Sequence, residues 1–344
     1  MTRVDLTVMG AGIFGLACAY TALRRGASVR IIELVAVGAG SSGGLVGALS
    51  PHVPENWNPK KAFQLESLLM APDWWAGVEA AAGVSPGYRR SGRLQPLTDA
   101  QAVNLAHQRA VGAADLWQGQ AEWRVIAATG ATWEPATPTG YLVHDTLSAR
   151  VHPQMACAAL AAAVMALGGD LVIGIATPPT TGKVLWATGV AGLGALSQDL
   201  GRMIGGGVKG QALALRHSAS NAQQLFVDGL HIVPHADGTV AIGSTSEKHF
   251  DDPTSTDDQL HTLHARAVAA LPALAAAPIV ARWAGVRPRA ASRAPLLGAW
   301  PGRQGQFVAN GGYKIGFGMA PKVAQVMADL ILDGKDSIPA GFGF

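Results

Sequence analysis

The sequence predicts an α/β fold in which a Rossmann-like, nucleotide-binding domain is interleaved with a smaller α+β domain built on an antiparallel sheet. Three observations carry this expectation. Residues 4–9 read as a buried strand that runs directly into Gly10-Ala11-Gly12-Ile13-Phe14-Gly15, a helix and a second strand ending at Glu33. Strand and helix patterns alternate again between residues 152 and 189. Between 208 and 244 there are only short strands separated by turns such as Asp237-Gly238, the pattern of an antiparallel sheet.

Taken in order, Gly10 permits the tight turn, Gly12 lets backbone approach a pyrophosphate, and Gly15 lets helix and strand pack closely. The helix start at Ile13 and Phe14 offers unpaired N–H groups to phosphates. Glu33, at the end of the second strand, suits ribose hydroxyls and disfavours a 2′-phosphate, so FAD or NAD is expected over NADP. Residues 38–51 hold too many glycines for a stable helix and look built for backbone contact with a ligand. A helix over 60–82 carries Trp74 and Trp75, a strand falls within 86–98, and a second helix spans 99–119. A strand-like stretch covers 140–151, and His152-Pro153-Gln154 opens an alanine-rich helix to residue 167. Strands are expected over 170–175, 183–189, 208–215, 225–234, 239–244 and 306–310, with helices over 257–271 and from Met319 through Leu332. The nucleotide domain then comprises 1–82, 144–208 and 286–344, and the substrate domain 83–143 and 209–285.

Composition narrows the function classes. The 344 residues, 49% hydrophobic and 14% charged with 43 glycines, describe a folded chain with many close backbone approaches. A net charge of +3 without a basic run weighs against a nucleic-acid partner. Cys18 and Cys157 have neither metal-ligand spacing nor a disulfide framework and read as small buried hydrophobes. The N-terminal apolar residues are taken up by strand and turn rather than a secretory leader. The longest apolar run, 158–167, falls well short of the roughly 20 residues that cross a bilayer. A cytoplasmic protein without a membrane span is therefore expected.

Several landmarks in one order along the chain resemble a known group. They are the glycine turn with Glu33, the 41–51 loop, Leu185-Trp186-Ala187-Thr188-Gly189, Val208-Lys209-Gly210-Gln211, Ile242-Gly243-Ser244-Thr245-Ser246-Glu247, Trp283-Ala284-Gly285-Val286-Arg287-Pro288, and residues 310–321. Together they resemble the FAD-dependent oxidoreductases of the D-amino-acid oxidase superfamily, most closely its glycine oxidase-like branch. The resemblance implies FAD contacts at Gly10, Gly12, Ile13, Phe14, Gly15, Glu33, Ser41, Ser42, Gly43, Leu45, Gly47, Ala48, Leu49, Thr188 and Gly189. Toward the C-terminus it adds Gly312, Lys314, Ile315, Gly316, Phe317, Gly318 and Met319, where a helix N-terminus faces the flavin's pyrimidine side. It also implies that Arg287 holds a substrate carboxylate, a task that suits the guanidinium fork, with Tyr313 and Lys314 in the same pocket.

The chain departs from that branch where Gly312 replaces a histidine, Lys314 an arginine and Ile315 an asparagine, which puts glycine itself in doubt as substrate. Tyr313 either offers its hydroxyl or ring edge to the pocket or packs. His52 either lies near the flavin or is structural, and His235 is expected in a hairpin turn with no chemistry. The implied reaction oxidises a small amino acid or N-substituted glycine to its imine, which water converts to keto acid plus amine. Electrons then go to oxygen or to a redox partner. Alternatives are a dehydrogenase, a non-catalytic FAD subunit of a heteromeric dehydrogenase, and an oxidase that cleaves a carboxymethylaminomethyl group on a tRNA wobble uridine.

Overall fold

A computed structural model describes residues 4–174 and 182–344. The chain opens with β1 (Leu6–Met9), α1 (Ile13–Arg24) and β2 (Val29–Glu33), then passes through β3 (Ala48–Leu49) to α2 (Pro59–Ala82). It continues with β4 (Arg93–Pro96), α3 (Ala100–Trp117), β5 (Trp123–Ala127), β6 (Tyr141–Asp145), β7 (Ala149–Arg150) and α4 (Pro153–Ala166). β8 (Asp170–Ile173), β9 (Lys183–Trp186) and α5 (Gly189–Asp199) come next. β10 (Gly205–Arg216), β11 (Gln224–Val227), β12 (Leu230–Pro234), β13 (Thr239–Gly243), α6 (Gln259–Ala270) and β14 (Ile279–Ala290) form a second excursion. β15 (Leu296–Ala299), β16 (Gln306–Asn310) and α7 (Gly316–Asp333) close the chain.

Two large sheets organise these elements. The first has six strands in the order β15-β16-β9-β1-β2-β8, and only β15 runs antiparallel to its neighbour. Its chain path moves from β1 to β2 on one side and later to β9 on the other, so a crevice opens at the carboxyl ends of β1 and β9, where such sheets bind ligands. The second has eight strands in the order β14-β10-β13-β12-β11-β4-β6-β5, antiparallel except for β11 beside β4. The expected divisions at 208 and 286 fall inside β10 and β14, which pair with each other along most of their length.

Local sequence accounts for the helix ends. Asn58 accepts a hydrogen bond from Lys61 N–H at 3.2 Å with Pro59 at the first helical position, and Gly83 ends α2 in the left-handed region. Asp99 caps α3 by accepting from Ala102 N–H at 2.8 Å. α1 is buried nearly all round because α4 and α7 pack on it, so a continuous apolar run is what that position requires. No helix among the described residues is long and apolar enough to cross a membrane.

Three local readings are corrected. The stretch 225–234 is a hairpin, not one strand: Val227 pairs with Leu230 across Asp228-Gly229, and both turn residues have positive φ, 48° and 76°. An Asp-Gly pair is suited to that two-residue turn. The stretch 140–151 divides into β6 and β7. The helix expected to begin at Met319 begins at Gly316. The end of the strand expected over 170–175 lies outside the described residues.

Candidate active site

A cavity of about 650 Å³ opens at the crevice between the first sheet and β14. Its walls include Gly10, Gly12, Ile13, Phe14, Glu33, Ser41 and Ser42 from the first βαβ unit and the following loop. Thr188 and Gly189 come from the β9 exit, and Gly312, Tyr313, Lys314, Gly316 and Phe317 from the segment leading into α7. That size is within the range of small-molecule and cofactor sites.

The turn after β1 shows why glycine is needed there. Gly10 has φ of 104°, and a Cβ on it would lie 2.6 Å from the Ala187 carbonyl oxygen. A Cβ on Gly15 would lie 2.0 Å from the Gly10 carbonyl oxygen, so helix and strand are already in contact. Gly12 caps α1 without a side-chain hydrogen bond, and Ile13 N–H donates to Ser42 Oγ at 3.0 Å. Glu33 accepts from Ala11 N–H at 2.8 Å through one oxygen and from Val35 N–H at 2.9 Å through the other. These bonds point the carboxylate into the cavity and leave lone pairs for a further donor. Beside the start of α1, Ile315 caps α7 without a side-chain hydrogen bond, so this helix too presents the positive end of its dipole to the cavity.

The remaining candidate residues lie behind or beside this wall. Gly43 packs its α-carbon against Gly38, and Gly47 packs against Val151, where a Cβ would meet the carbonyl oxygen at 1.8 Å. Ala48 and Leu49 form β3 and pair with β7. Leu45 packs on Ala212, Ala214, Ala241 and Trp283, so the 43–47 loop lies on one face of the second sheet. Gly318 and Met319 are buried in α7.

Arg287 occupies that same sheet face. Trp283, Gly285, Arg287 and Arg289 alternate along β14 and share one side of it. The Arg287 side chain is 8% exposed and lies across Gly210 of β10, where a Cβ would come within 1.8 Å of Nη1. Nη1 donates to the Thr245 carbonyl at 3.4 Å, and the guanidinium lies 5.9 Å from the Trp283 ring. Burial works against its charge, while Tyr313 and Glu247 nearby favour it. No carboxylate among the described residues lies within ion-pair distance of it, since Glu247 is engaged by Thr245, Gln211 and, at 4.0 Å, Lys209 Nζ. A buried guanidinium without an anion is costly.

Tyr313 sits at φ of 45° with its N–H bonded to the Pro288 carbonyl at 2.9 Å, and its ring lies 5.4 Å from the Arg289 guanidinium and 5.8 Å from Lys314 Nζ. Lys314 lines the cavity with its side chain exposed, and partial desolvation, together with the charge of Arg287, lowers its pKa.

Sequence reasoning missed several wall residues. Asn310 is 3% exposed, donates from Nδ2 to the Gly189 carbonyl at 2.8 Å and accepts from Gly311 N–H at 2.8 Å, tying the β9 exit to the β16 exit. A polar residue closing an apolar strand was the available signal. Trp186, Val286 and Pro288, which stand inside the landmark motifs but not among the expected site residues, also line the cavity, as do Pro253 and Thr254, which nothing local in the sequence marks.

His52, the histidine left open, and His235, expected to carry no chemistry, are both held by hydrogen bonds within the protein. His52 is held by Gln64 through its ring and through its own N–H at 2.9 Å. His235 is 1% exposed at the start of the β12–β13 turn, and its Nε2 donates to the Leu45 carbonyl at 2.9 Å, pinning the 43–47 loop to the second sheet. Its pKa falls from an ordinary 6.5 to about 4, first through burial and then through the charges of His152 and Arg150, with the Leu45 bond and Asp237 opposing. Below pH 6.5 the unfolded chain therefore binds a proton that the folded chain refuses. His235 should destabilise the fold progressively from about pH 6.5 to about 4, by roughly 3 kcal/mol at the end of that window. His235→Gln should flatten the loss of Tm between pH 7 and 4 relative to the wild type. Parallel Tm profiles for the two proteins would count against this assignment.

Known proteins place this geometry in context. The family described as FAD dependent oxidoreductase matches residues 5–330. Glycine oxidase of Pseudomonas putida is 29% identical, with the alignment covering 97% of this chain and 96% of that protein. Glycine oxidase of Geobacillus kaustophilus is 28% identical over 96% of this chain and 93% of its own. The crystal structure of the glycine oxidase from Geobacillus kaustophilus superposes with a TM-score of 0.85 at 23% identity, covering 100% of this chain and 98% of that one.

Proposed function

This chain belongs to the FAD-dependent oxidoreductases as an amine or amino-acid oxidoreductase, and from that premise we propose that it oxidises a small amino acid or N-substituted glycine to the imine. Water then yields keto acid and amine. The observation that carries this reading is Arg287, a buried guanidinium with space cleared by Gly210 and no carboxylate of its own. A substrate carboxylate supplies the missing charge and matches the fork.

The residues present fit the cofactor. Gly10, Gly12 and Gly15 leave no Cβ where a pyrophosphate would approach, and the start of α1 beyond Ile13, whose N–H is held by Ser42 Oγ, would face its oxygens. Glu33 would accept from ribose hydroxyls, and Ser41, Ser42, Thr188 and Gly189 would line the same stretch. The uncapped start of α7, at Gly316 and Phe317, would favour negative charge on the redox-active ring system. When bound, FAD supplies the two-electron acceptor and the route of electrons to oxygen or a redox partner.

The chain's own contribution is placement. Arg287 would fix the carboxylate, and through it the α-carbon, while the 43–47 loop and Trp283 exclude water from that face. The positive surroundings at Arg287 and Lys314 favour the neutral amine, the form that can give up a hydride from the adjacent carbon. Titration of the purified, FAD-loaded protein without oxygen should bleach the flavin band with at least one of glycine, sarcosine, D-alanine and D-proline. A yellow protein that none of these amines reduces would move the assignment to a non-catalytic FAD subunit. Rapid peroxide formation on admitting air would identify oxygen as acceptor.

A further inference from the structure

We infer that the substrate carries a second carboxylate, held by Lys314 with Arg289, in addition to the one proposed for Arg287; this rests on the amine-oxidation reading above. Arg287 and Arg289 stand two residues apart on one face of β14, and the Tyr313 ring is flanked by Arg289 at 5.4 Å and Lys314 at 5.8 Å. Three cationic side chains thus gather about one tyrosine, and none of the three forms an ion pair with a carboxylate among the described residues. The one carboxylate whose charge reaches Arg287, that of Glu247, already accepts from Thr245 and Gln211 and lies 4.0 Å from Lys209 Nζ.

A zwitterionic amino acid brings one carboxylate to this cluster, which the buried Arg287 takes, and leaves the half-buried Arg289 and the exposed Lys314 without an anion. A diacid compensates two of the three cations. The segment's backbone places the ammonium at the site: the left-handed Tyr313, anchored to Pro288, precedes Lys314, which lines the cavity at its solvent-accessible side. An ammonium on a flexible stem suits a second carboxylate whose position varies with the substrate, whereas the fixed fork of Arg287 suits the one next to the reacting carbon.

Iminodiacetate and N-ethylglycine differ chiefly in this second carboxylate, and glutarate and pentanoate are their counterparts with CH₂ in place of NH. With the FAD-loaded protein, anaerobic reduction should be at least about tenfold more efficient with iminodiacetate, and glutarate should bind at least about tenfold more tightly than pentanoate, equivalent to about 1.4 kcal/mol. Lys314→Met should bring both ratios close to one, and Lys314→Arg should restore most of the preference. Ratios near one in the wild type, while both amines reduce the flavin, would overturn the second-carboxylate site and leave amine oxidation standing. If neither of these amines nor any of glycine, sarcosine, D-alanine and D-proline reduces the flavin, amine oxidation fails. The glutarate preference and its loss in Lys314→Met then decide alone whether the two-anion site exists.

Discussion

Arg287→Ala is expected to raise the apparent substrate constant by about 30-fold to several thousand-fold, the equivalent of roughly 2 to 5 kcal/mol, without releasing FAD. The size follows from burial: the guanidinium is 8% exposed and has no competing carboxylate within ion-pair distance among the described residues, so its bond to a ligand would be little screened by water. Retention of FAD follows because Arg287, unlike its β14 neighbours Val286 and Pro288, is not among the residues that line the cavity with the glycine turn and Glu33. Arg287→Lys should fall between the two, because charge survives and the fork does not. Steady-state kinetics and the flavin-to-protein ratio of each variant supply the test. If the wild type turns over an amino acid and its decarboxylated amine equally well, Arg287 does not recognise a carboxylate.

Gly10→Ala should weaken FAD binding by about 100-fold or more. The substitution forces a Cβ to within 2.6 Å of the Ala187 carbonyl and places an L-residue at φ of 104°. The backbone penalty and the overlap are each on the order of 1 to 3 kcal/mol. Relief requires the β1 turn to move away from β9, and that movement displaces the N–H groups proposed to receive the pyrophosphate. Fluorescence titration of the apoprotein with FAD measures the change. An unaltered dissociation constant would show that the turn is not the cofactor cradle.

Where local rules suffice, the sequence made the structure legible. The unit from β1 to Glu33 was readable because a strand, a glycine turn, a helix and an acid constrain one another over a short span. α7 was readable from its apolar periodicity, though its start was placed late because Gly316 and Gly318 lower helix propensity. The same effect hid α5, whose glycines include Gly192, packed where a Cβ would meet Thr188 Oγ1 at 2.3 Å. Tertiary packing, not propensity, makes that helix. β5 is an edge strand with only partial burial, so its alternation is faint. At the site, Asn310, Trp186 and Val286 meet only because strands distant in sequence are neighbours in space. Arg287 was singled out by resemblance, and the space that receives it depends on Gly210 across the sheet, a pairing absent from any local pattern.

The chain's repeated passage between the two sheets bears on how new specificities can be made. β4 to β6 leave the first sheet and return to it at β8, while β10 to β14 leave after β9 and return at β15. Neither sheet is therefore a cassette that recombination could exchange whole between relatives. Even the meander β11–β12–β13 lies between β10 and β4 in the middle of the second sheet, so its exchange would disturb both neighbours. Diversification in this architecture is expected to proceed by side-chain replacement along β14 and the turn before α7, with the scaffold inherited intact.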